Sequence, residues 1–239
     1  MATEVSLVLA ATFWGLNFAA TKYAAASISP LLLVALRFTV GGLLLLLVVR
    51  LLEPKSRLRR SDVLPMAALG CFGVATAQTG FTFGVSLSSA GSTGLIFATA
   101  PVWGLLLGAT FGLERPTWKG VLGVGLSIVG VALVVLDGLT SGNASLVGDL
   151  LVLIAAFCVG AYAVLSMPLL ERHTPLAVAT YPVLFGIPFL LLISSPQLLS
   201  LEWGSVGAGP WAAVANSAVF ATAYAFSAWQ WGISRIGAK

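Results

Sequence analysis

The fold class this sequence predicts is an all-α polytopic membrane protein, built as inverted five-helix repeats with eight spans present. The prediction rests on the composition, on the spacing of apolar runs, and on an internal similarity at an offset near 145. Of 239 residues, 59% are hydrophobic and 8% charged, whereas about a quarter are charged in a soluble domain. Twelve Lys and Arg with eight Asp and Glu cannot cover a water-facing surface of this size. A soluble enzyme, a disordered segment and a nucleic-acid-binding domain are thereby excluded, and the net charge of +4 is too small to argue otherwise.

The spans follow in order. Eight apolar stretches reach the length of about 20 residues that a helix needs to cross a bilayer: roughly 5–25, 30–50, 63–85, 89–112, 117–136, 148–168, 175–195 and 210–232. Runs such as Leu43 to Val49 and Val121 to Leu136 are apolar all round, so helices and not the alternating strands of a barrel are expected. The first span starts Met1-Ala2-Thr3-Glu4 and carries Asn17 and Lys22. It lacks the positive leader of a signal peptide and is expected to be retained. With the N-terminus placed in the cytoplasm, the inward segments hold Arg50, Lys55, Arg57, Arg59, Arg60, Arg115, Lys119, Arg172, Arg235 and Lys239, and the outward ones hold Asp137, Asp149 and Glu202. Lys and Arg collect on the cytoplasmic side of membrane proteins, which sets this orientation. Cys71 and Cys158 lie in apolar runs and His173 is the single histidine. Neither a disulfide, a metal site nor a cofactor is expected.

The internal similarity organises the spans. Residues 7–19 and 151–163 share Leu7, Val8, Leu9, Ala11, Phe13 and Ala19 at an offset of 144. At 145, Pro30-Leu31 matches Pro175-Leu176, Gly41 matches Gly186, and Pro65, Ala67, Ala68, Val74 and Phe81 match Pro210, Ala212, Ala213, Val219 and Phe226. A unit of five spans is odd, so its second copy enters the membrane from the opposite face, as in many secondary transporters. The expected division is 1–136 for a first repeat and 148–239 for a second with three of its five spans. The chain then reads as a fragment or truncated form of a ten-helix protein, or as a natural eight-helix one.

Helix 1 contains Trp14-Gly15-Leu16-Asn17-Phe18 followed by Lys22, Arg37 stands seven residues after Pro30, and Pro101 precedes Glu114-Arg115. In order and spacing these motifs resemble the EamA type of the drug/metabolite transporter superfamily, with Leu113 where a glycine often stands. The resemblance covers the whole chain. It implies an inner-membrane carrier of ten helices that exports metabolites, amino acids or drug-like compounds by alternating access. The implied partners are a small-molecule substrate and the lipid bilayer, with a homodimer as the protein partner to consider and no nucleic acid.

Ionisable groups inside a membrane are costly and default to functional hypotheses. Arg37 lies about 10 Å below the start of helix 2, and Lys22 about 26 Å along helix 1, near the outer interface. Arg37 is read either as a cavity-facing anion contact or as a packed residue. Lys22 is read as an outer gate or, the favoured alternative at that depth, as snorkelling to the headgroups. Asn17 and Gln78, with Thr76 and Thr79, supply mid-depth polarity for substrate or for interhelical bonding. Trp14 with Phe81 and Phe83 offers an aromatic wall, and Tyr224 is the substrate candidate of helix 8. Trp103, Tyr162, Tyr224, Trp229 and Trp231 are alternatives to that wall, although aromatics near span ends more often form interfacial belts. Pro101, like Pro182 and Pro188, is a hinge or a static kink. Gly104, Gly108 and Gly112 form a small-residue ridge assigned to packing against the absent part of the second repeat or a neighbouring molecule. An intramembrane enzyme is the rival class and finds no catalytic set. A channel or non-transporting subunit is distinguished from a carrier by the absence of saturable counterflow.

Overall fold

The computed structural model describes residues 2–113, 117–141 and 145–236. Glu114, Arg115 and Lys239 lie outside the described residues, as do the side chains of Lys119 and Asp137. Eight helices follow one another: α1 (Ala2–Ala24), α2 (Pro30–Leu52), α3 (residues 63–87), α4 (residues 90–110), α5 (Trp118–Ser141), α6 (Leu146–Leu170), α7 (Pro175–Ser200) and α8 (residues 208–236). Single 3-10 turns at Arg60–Asp62 and Trp203–Ser205 lead into α3 and α8. Among the described residues, six helices are long and apolar enough to cross a membrane: α1 to α4, α6 and α7. Helix α5 carries the apolar run Val121 to Leu136, of which Gly120–Leu133 lies within the residues whose side chains are described. Helix α8 misses that composition because Asn216, Ser217, Thr222, Ser227 and Gln230 interrupt it.

Local chemistry sets the helix starts. Pro30 and Pro175 occupy first turns, where a missing N–H costs nothing. The hydroxyl oxygens of Ser89, Ser145 and Thr174 accept the N–H groups of Ser92, Gly148 and Ala177 at 3.0, 3.2 and 3.2 Å, the N-cap bond that satisfies an orphan donor. Helix α4 is broken at Ala98 and Thr99, and Pro101 stands in the first turn of its second half. Pro101 therefore starts a helix segment and does not kink a continuous one. Pro182 and Pro188 do lie inside the unbroken α7.

Two π-helical segments, Leu69–Thr76 in α3 and Ser217–Tyr224 in α8, lie 148 positions apart at their starts and organise the packing. Gly41 of α2 presses on the second: a Cβ there would sit 2.7 Å from Thr222 Cγ2 and 3.0 Å from the Ala218 carbonyl. Gly186 of α7 presses on the first, with a Cβ 2.8 Å from the Gly70 carbonyl. Between them Val34, Phe38, Val74, Tyr162, Val183 and Phe226 form the main core. Helix α1 lies at the rim. Only 11% of its apolar window is buried, against 56% for α2 and α6.

The glycine ridge of α4 is used within the chain, a correction to its expected outside partner. A Cβ on Gly160 of α6 would lie 2.7 Å from both the Ala100 carbonyl and the Gly104 nitrogen, so α4 and α6 cross in backbone contact there. Gly108 is buried on the same helix. Gly112 is exposed and outside the ridge. Its φ of 69° ends α4, with the Leu113 N–H reaching back to the Gly108 carbonyl at 2.9 Å, the geometry a glycine adopts without cost.

One end of the bundle is basic. There Asp62, buried at the start of α3, accepts from Arg172 at 2.7 Å and faces His173 Nε2 at 2.8 Å. The connections 53–62 and 171–174 are joined by that contact, and Lys55, Arg57, Arg59 and Arg60 share the first of them.

Candidate functional site

Helix α2 carries Arg37 into the bundle in an otherwise apolar sequence, leaving the residue 3% exposed. Its Nη2 donates to the Gln78 side-chain oxygen at 2.6 Å. Its Nε and Nη1 are buried and have no hydrogen-bond partner among the described residues. The guanidinium carbon lies 4.7 Å from the centre of the neighbouring Phe38 ring. Gln78 stands two residues beyond the π segment of α3, which faces this residue toward α2 while Thr76 points outward and bonds the Cys71 carbonyl at 2.9 Å.

Helix α1 is tied to the π segment of α8 by two side chains. Trp14 Nε1 donates to the Ala221 carbonyl at 2.9 Å, and the Asn17 Oδ1 accepts from the Ser217 hydroxyl at 2.5 Å. Both residues thereby face inward, against Arg37 and Gln78. Between them lies a cavity of about 50 Å³, enclosed by Trp14, Phe18, Phe81, Phe97, Tyr162, Phe226 and Trp229. It shares Trp14, Phe18, Phe97, Val159 and Trp229 with a second chamber of about 370 Å³, walled by Ala11, Gly15, Pro101, Gly104 and Ala163. The small chamber has room for one polar group; the larger one is apolar. No carboxylate lines either chamber among the described residues.

Such a guanidinium is expensive. Removing a cation from water without a counter-ion costs several kcal/mol even after relaxation, and one neutral amide oxygen returns only about 1.5–3 kcal/mol. The aromatic rings hold each other in place: Trp14 meets Phe226 edge-on at 6.3 Å and Trp229 at 5.4 Å, and Phe18, Phe81 and Phe97 form a second edge-to-face set. The walls are preformed by these contacts.

Of the residues singled out in the sequence, Trp14, Asn17, Arg37 and Gln78 come together at this cavity, and Pro101 lines the larger chamber. Lys22 does not join them. Its ammonium donates to the Ser86 and Ser88 carbonyls at 2.9 and 2.8 Å, capping the end of α3, where the Ser88 hydroxyl donates to Asp149 at 2.7 Å. Tyr224 is also elsewhere, near the basic end: its hydroxyl lies 3.2 Å from Ser6 Oγ and its ring stands edge-on to Phe13. Phe83 is half-buried and outside the lining, and the Thr79 hydroxyl is buried without a partner among the described residues.

Sequence reasoning missed Phe18, Phe97, Val159 and Phe226, and gave Tyr162 and Trp229 less weight than their position warrants. Two signals were present. Phe18 is four residues after Trp14, on the same helix face, and Phe226 repeats Phe81 at an offset of 145.

Apolar helices closed around a buried, partly polar and aromatic-walled cavity define a polytopic membrane protein of the transporter type. The chain belongs to the EamA-like transporter family, whose model matches residues 1–136 and 146–239. It is similar to an uncharacterized transporter of Archaeoglobus fulgidus, 26% identical over 233 residues, which cover 97% of this chain and 80% of the relative. It is 35% identical over 182 residues to a probable terminal-alkyne amino-acid exporter of Streptantibioticus cattleyicolor, covering 74% of this chain and 59% of that protein. A probable amino-acid metabolite efflux pump of Escherichia coli is 29% identical over 208 residues, covering 82% and 66%. A solved crystal structure superposes with a TM-score of 0.70 at 21% identity, covering 98% of this chain and 79% of that one, and shares the fold. The chain thus spans 59% to 80% of the length of these proteins.

Proposed function

We propose that the chain is a secondary transporter, not an enzyme, that exports small amphipathic carboxylates, with Arg37 as the group that receives the carboxylate. The observation that carries this reading is the buried guanidinium with two unpartnered nitrogens at a cavity free of acidic lining among the described residues. A carboxylate supplies the charge and the acceptor oxygens that Arg37 lacks, and the apolar chamber takes the rest of the molecule. The names of the Streptantibioticus and Escherichia relatives, both connected with amino-acid export, support a small organic acid as the class of cargo.

The division into repeats at 1–136 and 148–239, inverted in the membrane, is part of the same proposal. Its support is the pair of π segments and the way Gly41 and Gly186 each press on the segment of the other half. Alternating access is then rocking of one unit against the other around the cavity. The basic connections support an N-terminus in the cytoplasm of an inner, or plasma, membrane. Trp14, Asn17 and Gln78 complete the substrate site with Arg37.

The test is counterflow in proteoliposomes preloaded with unlabelled 3-phenylpropionate. The wild-type protein is expected to accumulate the labelled compound with saturation. Arg37→Gln is expected to lose this by about tenfold or more, the worth of one or two charge-assisted bonds, while eluting as intact protein. Wild-type counterflow in the variant removes Arg37 from the site. Flux that fails to saturate replaces the carrier with a channel.

A further inference from the structure

The hydrogen-bonding groups around the cavity say more about the anion than its charge. Among the described residues that line the cavity, the buried side-chain groups without a partner are donors: Arg37 Nε and Nη1, and the indole N–H of Trp229. The side-chain oxygens are already engaged. Gln78 Oε1 is held by Arg37, Asn17 Oδ1 accepts from Ser217, and the Tyr162 hydroxyl donates to the Val178 carbonyl at 3.2 Å. An ammonium group has three N–H donors and accepts nothing. Carried on the carbon next to a carboxylate seated on Arg37, it would stand close to a second cation, with only oxygens that already serve another hydrogen bond to accept from it. The aromatic faces give little relief, because Trp14, Phe226 and Trp229 pack against one another and Phe38 is taken by Arg37 itself.

We infer that the cavity selects a simple amphipathic carboxylate, one without a neighbouring ammonium group, over a zwitterionic amino acid or an organic cation. This rests on the reading that the cavity is the substrate site. It narrows that reading in a direction opposite to the one the relatives' names suggest. The specificity comes from what the site withholds: leaving a polar group buried and unpaired costs more than a new hydrogen bond returns.

The experiment measures binding of labelled 3-phenylpropionate to the wild-type protein in nanodiscs, with three competitors that share the aromatic ring and differ at the polar end. These are unlabelled 3-phenylpropionate, L-phenylalanine and phenethylamine. The expected order is displacement by the acid, by the amino acid at about tenfold or more higher concentration, and no displacement by the amine. Equal or stronger displacement by L-phenylalanine overturns the inference and leaves Arg37 as a carboxylate site. Displacement by phenethylamine at the acid's concentration overturns the inference and the carboxylate reading together, as does the absence of any saturable binding of 3-phenylpropionate.

Discussion

Arg37 and Gln78 meet at 2.6 Å between α2 and α3, and both line the cavity. Two substitutions separate its parts. Gln78→Glu places a carboxylate on the same atoms and gives Arg37 an internal counter-ion, so the protein is expected to be as stable as wild type while carboxylate affinity falls by about tenfold or more. Gln78→Ala leaves the cation with no partner and is expected to lower both stability, by about 1–3 kcal/mol, and affinity. Thermal unfolding in detergent and ligand binding, measured side by side, check the pair.

Gly160 and Gly15 stand on the two helices that flank the larger chamber, and they predict unequal responses to added bulk. Gly160→Val drives methyl groups into the backbone of α4 at Ala100 and Gly104, and is expected to cost about 1–3 kcal/mol as overpacking. A Cβ on Gly15 meets nothing within 4 Å among the described residues, so Gly15→Ala is expected to change stability by less than about 0.5 kcal/mol. Melting temperatures of the two variants decide it.

Lys22 is placed to hold a helix end and not to touch the cavity. Lys22→Met removes two bonds to the Ser86 and Ser88 carbonyls at an exposed position, with an expected cost of at most about 1 kcal/mol. Carboxylate affinity is expected to stay at its wild-type value, and a tenfold loss would return Lys22 to a gating role.

At the basic end, Asp62 joins the two connections through Arg172 and His173. Asp62→Asn keeps the shape and removes the charge, and is expected to lower stability by about 1–3 kcal/mol without changing carboxylate affinity. Unfolding midpoints of Asp62→Asn and of the double variant with Arg172→Gln check whether the losses are shared, as they must be for one contact.

Much of the fold is legible from residues alone because the bilayer imposes simple rules. Span lengths, the all-helical class and the start positions at Pro30 and Pro175 follow from backbone hydrogen bonding in lipid and from proline's missing donor. Arg37 and Gln78 stand out because polarity is rare in such helices. Their mutual contact does not, since a π segment just before Gln78 rotates the following residues relative to a regular helix, and periodicity of 3.6 cannot anticipate it. The same effect governs α8, where Tyr224 closes its π segment and faces Ser6, away from the cavity. The ridge of Gly104 and Gly108 is visible in the sequence, but its partner in α6 is not, because spacing identifies a close-packing face without naming the helix that fills it.

The contact on which transport depends is that of the ligand carboxylate with Arg37. A four-way binding comparison addresses it: 3-phenylpropionate and its methyl ester, each titrated against wild type and Arg37→Gln, followed through the fluorescence of the cavity residues Trp14 and Trp229. With the carboxylate on Arg37, the acid binds wild type about tenfold or more tighter than the ester, and this advantage vanishes in the variant. An advantage of the acid that survives undiminished in Arg37→Gln would place the carboxylate elsewhere.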